Sequence, residues 1–421
     1  MPPKTLHLTN AYHPTSGGIG AFYRALMRHA NERRREMRLI VPAEESSTEA
    51  AGEHVRIYHV KARPSPWIDA RYRLMMPIGR SGREIKRILR AEQPDILEVA
   101  DKYTLPFLSG IVRKGFVRGV RRPTEFGTSH ERMDDNVRAY ITPGAAGRAL
   151  ARLYMRFIYF PMFDHHIANS EYTAQELIPA ARGHTTPRGV WVCPMGVDID
   201  AFRFSEHAPH APVRLLYAGR LAREKNVLML ADMLEQLPAR FELWVAGDGP
   251  LRDEFAQRAE ARAPGRVRML GHLGGEALAS LYRDCDVFVH ANAREPFGIA
   301  PLEAMASGLP VVLPNAGGVL SYANPGNAWL AEPTPHAFAR TVQWLLQADT
   351  ERSRRLHAAR AVAEQHAWPV VAARFLALCD DLHRFRLSGI AWNALTPVQT
   401  GWACSTRTSP DGCWSAVSQV P

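Results

Sequence analysis

Short apolar segments alternate with amphipathic helical stretches in two successive series along the chain. In the first half, strands are predicted at 6–9, 37–41, 95–99 and 165–168, and a helix is predicted over 21–35 after a glycine-containing loop at 13–18. In the second half, strands are predicted at 213–218, 241–246, 267–270, 286–290 and 311–313, each followed by a loop and a helical pattern. Repeated strand–loop–helix units predict parallel sheets with crossover helices. Two such series predict an α/β protein with two Rossmann-like domains.

The same pattern predicts where the domains begin and end. A turn-rich stretch at 194–198 precedes the second series, so the domain boundary is expected nearby. The expected segments are an N-terminal domain over 1–193, a linker over 194–212, a C-terminal domain over 213–365, a helix over 366–387 that packs back toward the N-terminal domain, and a poorly ordered tail over 388–421.

Composition excludes several protein classes. The 421 residues are 46% hydrophobic and 22% charged, which excludes a mainly disordered or fibrous chain. No apolar run is long enough to span a bilayer, and the N-terminus lacks a signal-peptide pattern. The five cysteines, at 193, 285, 379, 404 and 413, form no metal-like cluster and are typical of a reducing compartment. We therefore expect a cytoplasmic protein.

The positive charge is concentrated in the first half. The net charge is +10, and residues 1–200 carry +9 of it. This asymmetry favours a polyanionic partner for the N-terminal half, although a solvated arginine-rich surface fits as well. Cations recur at helical spacing over 80–90, with Ile85, Ile88 and Leu89 on the other side. Such a helix either lies on an anionic membrane or packs its apolar side into the core. Nucleic acid is not expected, because no aromatic residues alternate with the cations.

The stretch 295–312, with the sequence EPFGIAPLEAMASGLPVV, carries the strongest chemical signal. It follows the predicted strand at 286–290, and open parallel sheets bind ligands beyond the carboxyl ends of their strands. Phe297, Gly298 and Ile299 enter a helix, so their N–H groups can face a phosphate. Glu303, about one turn further on, can accept hydrogen bonds from two neighbouring hydroxyls, as on a ribose.

This stretch resembles the Glu-x7-Glu signature of retaining glycosyltransferases with the GT-B fold, in particular glycosyltransferase family 4. Four other segments resemble the family in the right order. They are YAGRLAREKN at 217–226, VAGDGP at 245–250, ANSE at 168–171 and MGVD at 195–198. The resemblance covers about residues 5–385 and implies two Rossmann-like domains whose parallel sheets face across a cleft.

The resemblance also implies roles for particular residues. Arg220 and Lys225 would bind the donor diphosphate and stabilise the charge that develops on it, for which a guanidinium and an ammonium are chemically suited. Glu295 would hydrogen-bond the hydroxyls of the donor sugar. The backbone of Phe297, Gly298 and Ile299 would bind the donor, and Glu303 would bind its ribose. The loop at Gly18 would approach the diphosphate or the acceptor. His130 would lie near the reacting sugar.

Two positions depart from the family pattern. Ser321 stands where the family usually has a glutamate after Gly317-Gly318, and the segment 324–328 lacks the usual second glycine. Both affect the rim of the nucleotide-sugar pocket, so the identity of the donor stays open. The carboxylate pairs Glu98/Asp101, Asp134/Asp135 and Asp380/Asp381 have no metal-ligand spacing and are interpreted as surface charge. No metal or other cofactor is expected.

The resemblance therefore implies a retaining, metal-independent hexosyltransferase. It would move a hexose from a UDP- or GDP-sugar to a hydroxyl of a lipid-linked or saccharide acceptor, in cell-envelope glycan or glycolipid synthesis. Many members of the family that it resembles act at the cytoplasmic membrane face, which suggests a peripheral protein. Two alternatives stay open: a basic, non-catalytic binding protein on the same scaffold, and a nucleotide-sugar epimerase.

Overall fold

The structure is a computed structural model that describes residues 2–13, 17–64, 73–140, 145–181 and 189–388. The chain divides into two compact units. Unit 1 takes its described residues from Met1–Arg138, Thr142–Cys193 and Ala372–Pro421, and unit 2 from Ala139–Ile141 and Pro194–Val371. The tail predicted over 388–421 lies outside the described residues, apart from Ser388.

Unit 1 is built on an eight-stranded sheet. Its strands are β1 Thr5–Thr9, β2 Met37–Ala43, β3 Ser47–Ala50, β4 Val55–Lys61, β7 Ile96–Ala100, β8 Thr124–Ser129, β9 His165–Ala168 and β10 Val190–Val192. Two short strands, β5 Arg63–Pro64 and β6 Arg73–Leu74, form a small separate sheet. The sheet order is β10-β9-β8-β7-β1-β2-β4-β3. All neighbours pair in parallel except β3, which pairs antiparallel with β4.

The helices of unit 1 follow the strands as crossovers. They are α1 Gly18–Glu32, α2 Gly79–Glu92, α3 Pro106–Arg113, α4 Met133–Tyr140, α5 Ala145–Tyr154 and α6 Glu171–Ala181. A π-helical turn, Met155–Tyr159, and a 3₁₀ turn, Phe160–Met162, continue α5. The apolar side chains of β1 and β7, Leu6, Leu8, Leu97 and Val99, are completely buried. Burial of strands on both faces is expected for parallel sheets covered by helices.

Unit 2 is built on a six-stranded, fully parallel sheet. Its strands are β11 Val213–Ala218, β12 Phe241–Ala246, β13 Val267–Gly271, β14 Val287–Val289, β15 Val311–Pro314 and β16 Trp329–Ala331. Its helices are α7 Leu228–Glu235, α8 Arg252–Arg262, α9 Gly275–Asp284, α10 Ile299–Ser307, α11 Pro335–Leu345 and α12 Asp349–Gln365. The sheet order is β13-β12-β11-β14-β15-β16. The repeated βα units therefore produce the α/β architecture expected from the hydrophobic pattern.

The last described helix, α13 Trp368–Ser388, belongs to unit 1 from residue 372 onward. The Arg35 guanidinium donates to both carboxylate oxygens of Asp380, at 2.7 and 2.6 Å. The ring of Phe375 meets Phe22 of α1 edge-on, with centroids 5.1 Å apart. A bidentate ion pair and an apolar contact thus fix this part of α13 to the α1 side of unit 1.

The structure corrects one interpretation from sequence and decides between two others. Glu98 is not surface charge: it lies on β7 with no exposed surface and accepts hydrogen bonds from Tyr23 (2.9 Å) and His7 (3.1 Å). The helix α2 is amphipathic as predicted, but Ile85, Ile88 and Leu89 are buried in the core of unit 1. Of the two interpretations of this helix, the one that packs its apolar side into the protein is therefore correct. No helix among the described residues is long and apolar enough to cross a membrane.

Candidate active site

The candidate site lies in unit 2, where the loops after β11 and β14 meet. These strands are neighbours in the sheet, but β12 and β13 continue from β11 in one direction, whereas β15 and β16 continue from β14 in the other. Connections that diverge from a neighbouring pair leave a crevice beyond the carboxyl ends of the two strands. The amide of Asn226, in the first loop, reaches the carbonyl of Ala291 in the second at 3.4 Å. The fold thus brings these two segments together.

The loop after β11 carries Arg220 and Lys225 and is fixed by the loop after β12. The Gly219 and Leu221 N–H groups donate to Ala246 and Asp248 carbonyls, each at 3.0 Å. Gly247 approaches so closely that a Cβ there would lie 1.9 Å from the Gly219 carbonyl oxygen. Lys225 ends a 3₁₀ turn that begins at Arg223. Gly247 therefore determines the path of the loop that carries the two candidate cations, Arg220 and Lys225.

The loop after β14 leads into α10 through a residue with positive φ. Gly298 is the N-cap and has φ +90°, a conformation that favours glycine. Tyr322 donates a hydrogen bond from its hydroxyl to the Gly298 carbonyl at 2.5 Å. Phe297 is buried against the Tyr322 ring, with centroids 5.1 Å apart. Ile299, the first residue of α10, has no intrahelical acceptor for its N–H, so this end of the helix suits an anion.

Glu295 accepts two hydrogen bonds on one carboxylate oxygen and has a histidine nitrogen close to the same oxygen. Its Oε2 lies 2.7 Å from the Lys225 ammonium, 2.9 Å from the Asn292 amide nitrogen and 3.3 Å from His290 Nε2. Burial alone would raise the pKa of Glu295, but the Lys225 charge and the His290 contact hold the pKa well below its ordinary value. Glu295 is therefore an ionised acceptor across the physiological pH range. The structure pairs the candidate diphosphate cation with the candidate sugar-binding carboxylate.

Glu303 lies on α10, and its hydrogen-bond partner is a neutral hydroxyl instead of a cation. Its carboxylate accepts a hydrogen bond from the hydroxyl of Tyr282, on α9, at 2.9 Å. Burial raises the pKa of Glu303 to about 7, and the Tyr282 hydrogen bond opposes this rise. Two glutamates of one motif thus differ in protonation, because Glu295 has a cationic partner and Glu303 has a neutral one.

The two remaining candidates lie in unit 1. Gly18 is the first residue of α1, directly after the loop that follows β1. His130 directly follows β8, and its ring meets Phe22 edge-on with centroids 5.3 Å apart. Burial lowers the pKa of His130 to about 4, so the ring is neutral at pH 7. The structure thus gathers Arg220, Lys225, Glu295, Phe297, Gly298, Ile299 and Glu303 in unit 2, and places Gly18 and His130 in unit 1.

Sequence reasoning missed four polar residues of the unit 2 site. His290 is the last residue of the predicted strand at 286–290 and Asn292 comes shortly after it, and polar residues at the end of a buried strand are a signal that could have identified them. Tyr282 and Tyr322 come from elements distant in sequence, and no local pattern marks them. Gly318 also supports the site, because a Cβ there would lie 1.9 Å from the Pro296 carbonyl oxygen.

One group of potential metal ligands is present among the described residues, away from this site. His207, His210 and Asp286 offer ligand atoms within 4.8 Å of one another. Asp286 directly precedes β14, so the group lies at the amino end of that strand, whereas Glu295 follows its carboxyl end. The Asp286 carboxylate accepts the backbone N–H groups of His210 (3.1 Å) and Arg214 (2.7 Å). These bonds connect β11 and the segment before it to the residue that precedes β14.

Comparisons with known proteins agree with the fold and the motifs. A family model described as Glycosyltransferase Family 4 matches residues 16–201, and one described as Glycosyl transferases group 1 matches residues 198–362. A GDP-mannose-dependent alpha-mannosyltransferase of Mycolicibacterium smegmatis is 30% identical over 341 residues, covering 78% of this chain and 81% of the relative. A GDP-mannose-dependent alpha-(1-6)-phosphatidylinositol dimannoside mannosyltransferase of Mycobacterium tuberculosis is 27% identical over 387 residues, covering 89% and 95%.

Solved structures show the same fold. The sucrose-phosphate synthase of Thermosynechococcus elongatus aligns with a TM-score of 0.69 at 18% identity, over 92% of this chain and all of that chain. HepE of Anabaena, in complex with UDP-glucose, aligns with a TM-score of 0.66 at 19% identity over the same shares. With both family models matched in order and a relative at 30% identity over most of its length, the chain belongs to glycosyltransferase family 4, the group 1 glycosyltransferases, and is a glycosyltransferase with the GT-B fold.

Proposed function

We propose that the protein is a retaining mannosyltransferase that uses GDP-mannose and transfers the sugar to a hydroxyl of a lipid-linked or saccharide acceptor. The observation that carries this proposal is the Lys225–Glu295 pair at the junction of β11 and β14, beside the amino end of α10. A cation for phosphate, a carboxylate for sugar hydroxyls and a helix N-terminus for an anion stand together there. The choice of GDP-mannose follows the names of the mycobacterial relatives.

The diphosphate is the leaving group in this reaction. Lys225 and Arg220 would stabilise the negative charge that develops on it as the bond to the sugar breaks, which is electrostatic catalysis. The N–H groups at the start of α10 would add donors to the same anion. Glu295, ionised and held by Lys225 and Asn292, would accept hydrogen bonds from hydroxyls of the mannose and so fix its orientation.

The nucleoside and the acceptor would engage other residues. Glu303 would accept hydrogen bonds from the two ribose hydroxyls, the loop at Gly18 would approach the diphosphate or the acceptor, and His130 would lie near the reacting sugar. The acceptor hydroxyl would attack from the face that the diphosphate leaves, and a phosphate oxygen would take its proton. Such a step needs no carboxylate base and no metal, and it preserves the configuration at the sugar.

A donor panel tests the proposal. The full-length protein is incubated with radiolabelled GDP-mannose, GDP-glucose, UDP-glucose and UDP-galactose, each with a polyprenyl or phosphatidylinositol acceptor and with or without EDTA. We expect label in the lipid product from GDP-mannose alone, unchanged by EDTA, with an α-linkage by NMR. A β-linked product would contradict retention. Interconversion of nucleotide sugars would indicate an epimerase, and nucleotide binding without any transfer would indicate a binding protein.

A further inference from the structure

Unit 1 exposes a row of large apolar side chains on α5 and the π-helical turn that follows it. Leu150, Leu153 and Phe157 have 58%, 56% and 63% of their surface exposed, and Ile158 has 36%. Spacings of three and four residues place the first three on one side of the helix. A continuous apolar row on a soluble surface marks a contact site more often than a chance exposure.

The opposite side of the same helix fixes its orientation. Ala151, Met155 and Tyr159 recur every four residues and belong to the buried core of unit 1. Tyr154 also donates a hydrogen bond to the Lys102 carbonyl at 2.7 Å. Because these contacts hold the inner side in place, the row Leu150–Leu153–Phe157 cannot turn inward and stays directed at solvent.

Three arginines lie on the same helical segment as the apolar row, and the guanidinium of Arg156 lies over the Phe157 ring, 5.4 Å from its centroid. Arg148, Arg152 and Arg156 are all exposed and follow one another at intervals of four residues. From residue 136 to residue 163 the chain contains no aspartate or glutamate. The segment therefore offers apolar side chains and positive charge together, with no carboxylate of its own to repel an anionic partner.

We propose that α5 and the π-helical turn dock on an anionic lipid surface, with Leu150, Leu153 and Phe157 among the acyl chains and the three arginines at the phosphates. Interfacial helices bind in this way, with an apolar row in the acyl boundary and cations at the headgroups. Arginine side chains are long enough to lie along the apolar surface while their charge stays at the headgroup level. A protein partner would supply carboxylates for the arginines but no continuous apolar layer.

The helix α2 provides an internal comparison. Arg80, Arg83 and Arg87 are exposed on it, but its apolar residues are in the core. It can attract anionic lipid by charge but has no apolar row to insert. The proposal deepens the lipid-acceptor part of the proposed function, and vesicle binding is measured without donor, so docking and transfer can fail separately.

Vesicle co-sedimentation of the full-length protein tests the docking. The vesicles are phosphatidylcholine alone or phosphatidylcholine with 30% phosphatidylglycerol, at roughly 0.05 M and 0.5 M salt. We expect binding to the anionic vesicles at low salt that is much weaker at high salt, and little binding to phosphatidylcholine. Equal sedimentation with both vesicle types at low salt would overturn the proposal.

Two matched triple variants locate the contact. Replacing Arg148, Arg152 and Arg156 by Gln should weaken binding to anionic vesicles roughly a hundredfold, since each surface cation contributes about a factor of five. Replacing Arg80, Arg83 and Arg87 by Gln removes the same charge from α2 and should weaken binding less than tenfold. An equal loss in both would show attraction by overall charge and would overturn the assignment to α5.

Two further variants test the apolar row: one removes its apolar side chains, and the other adds an apolar side chain beside it. Gln at Leu150, Leu153 and Phe157 should reduce vesicle binding at least tenfold while GDP binding stays unchanged. Ala149→Leu should tighten binding several-fold, because exposed Ala149 lies one helical turn before Leu153. Unchanged binding in both variants would exclude insertion. A dimer in sedimentation equilibrium without lipid, lost in the Gln variant, would assign the row to self-association instead.

Discussion

At the scale of single residues, one carboxylate oxygen organises the candidate site. Glu295 Oε2 has Lys225, Asn292 and His290 around it, so the Lys225 ammonium already has a fixed position before it meets a phosphate. A charge held in place needs little reorganisation when negative charge develops nearby, and this is the condition for electrostatic catalysis. In the proposed reaction, the pair would link donor-sugar recognition to leaving-group stabilisation.

Lys225→Ala should lower kcat about 30- to 1000-fold, since it removes a charge-assisted contact worth roughly 2–4 kcal/mol in the transition state. Its effect on KM for the donor should be no larger than its effect on kcat. Steady-state kinetics with GDP-mannose measure both. Arg223→Ala, which removes an exposed cation from the same 3₁₀ turn, is the matched control and should change kcat less than threefold. Near-normal turnover in Lys225→Ala would refute the role of this lysine.

If Glu303 holds the ribose as proposed, nucleotide binding should depend on pH. Burial raises its pKa to about 7, so it becomes ionised, and a better acceptor for ribose hydroxyls, as the pH rises from 6 to 8. GDP affinity measured by calorimetry should increase over this range in the wild type and stay flat in Glu303→Gln. A 2′,3′-dideoxy nucleotide should bind the wild type more weakly than GDP. Equal affinity for both nucleotides would show that Glu303 does not hold the ribose.

The raised pKa of Glu303 also makes the stability of the fold depend on pH, but here a higher pH is unfavourable. A carboxyl that is harder to ionise in the folded state stabilises that state while it is protonated. Its contribution is lost as the pH rises from the ordinary glutamate pKa toward 7. The depressed pKa of Glu295 acts the other way, since its pairing with Lys225 stabilises the protein above the ordinary glutamate pKa and loses effect in acid.

Single residues also show what a sequence does and does not reveal about the site. Glu295 and Glu303 stand in a motif, so their positions after a strand and on a helix could be predicted. The contact between Lys225 and Glu295, seventy residues apart, depends on β11 and β14 being neighbours, and strand order is not written in any local pattern. Glu98 looked like surface charge because nothing near it in sequence indicates His7 and Tyr23 as its partners.

At the scale of elements, the hydrophobic pattern identified many of the buried parallel strands and missed other strands. The strands β9, β11 and β12 have the predicted bounds, because they are short apolar runs between turns. β8 was not predicted because its sequence is TEFGTS, in which all six residues are buried but four are polar or charged. β3 escaped because all four of its residues are exposed at the sheet edge. Periodicity detects burial of apolar residues, and neither strand has that signature.

Gly247 should be indispensable to the loop that carries Arg220 and Lys225. Gly247→Ala would place a Cβ 1.9 Å from the Gly219 carbonyl oxygen, so the backbone of one loop must move. We expect kcat/KM to fall at least tenfold and the free energy of unfolding to drop by about 1–3 kcal/mol. Gly274→Ala is the control, because a Cβ there would meet none of the described atoms within 4 Å and its φ is ordinary. Wild-type kinetics in Gly247→Ala would show that the loop path is not critical.

At the scale of the whole molecule, each unit has its own point where the strand order reverses. In unit 2 it lies between β11 and β14, and in unit 1 between β1 and β7. The residues with candidate chemistry follow these strands or their neighbours: Lys225 and Glu295 in unit 2, Gly18 and His130 in unit 1. The charge is distributed differently, since the basic excess falls in residues 1–200. The nucleotide is therefore expected to bind to unit 2, and the lipid surface is expected to bind to unit 1.

Hydrogen exchange of the full-length protein should separate these two interactions. GDP should slow exchange in residues 219–226 and 290–303, because ligand contacts suppress local opening of the loops around Lys225 and Glu295. Anionic vesicles should slow exchange in residues 145–159 and leave α2 unchanged. Phosphatidylcholine vesicles serve as the control and should protect neither region. Protection of α2 instead of α5 by anionic vesicles would move the lipid contact to the basic helix. Protection by GDP confined to unit 1 would contradict the assignment of the donor site to unit 2.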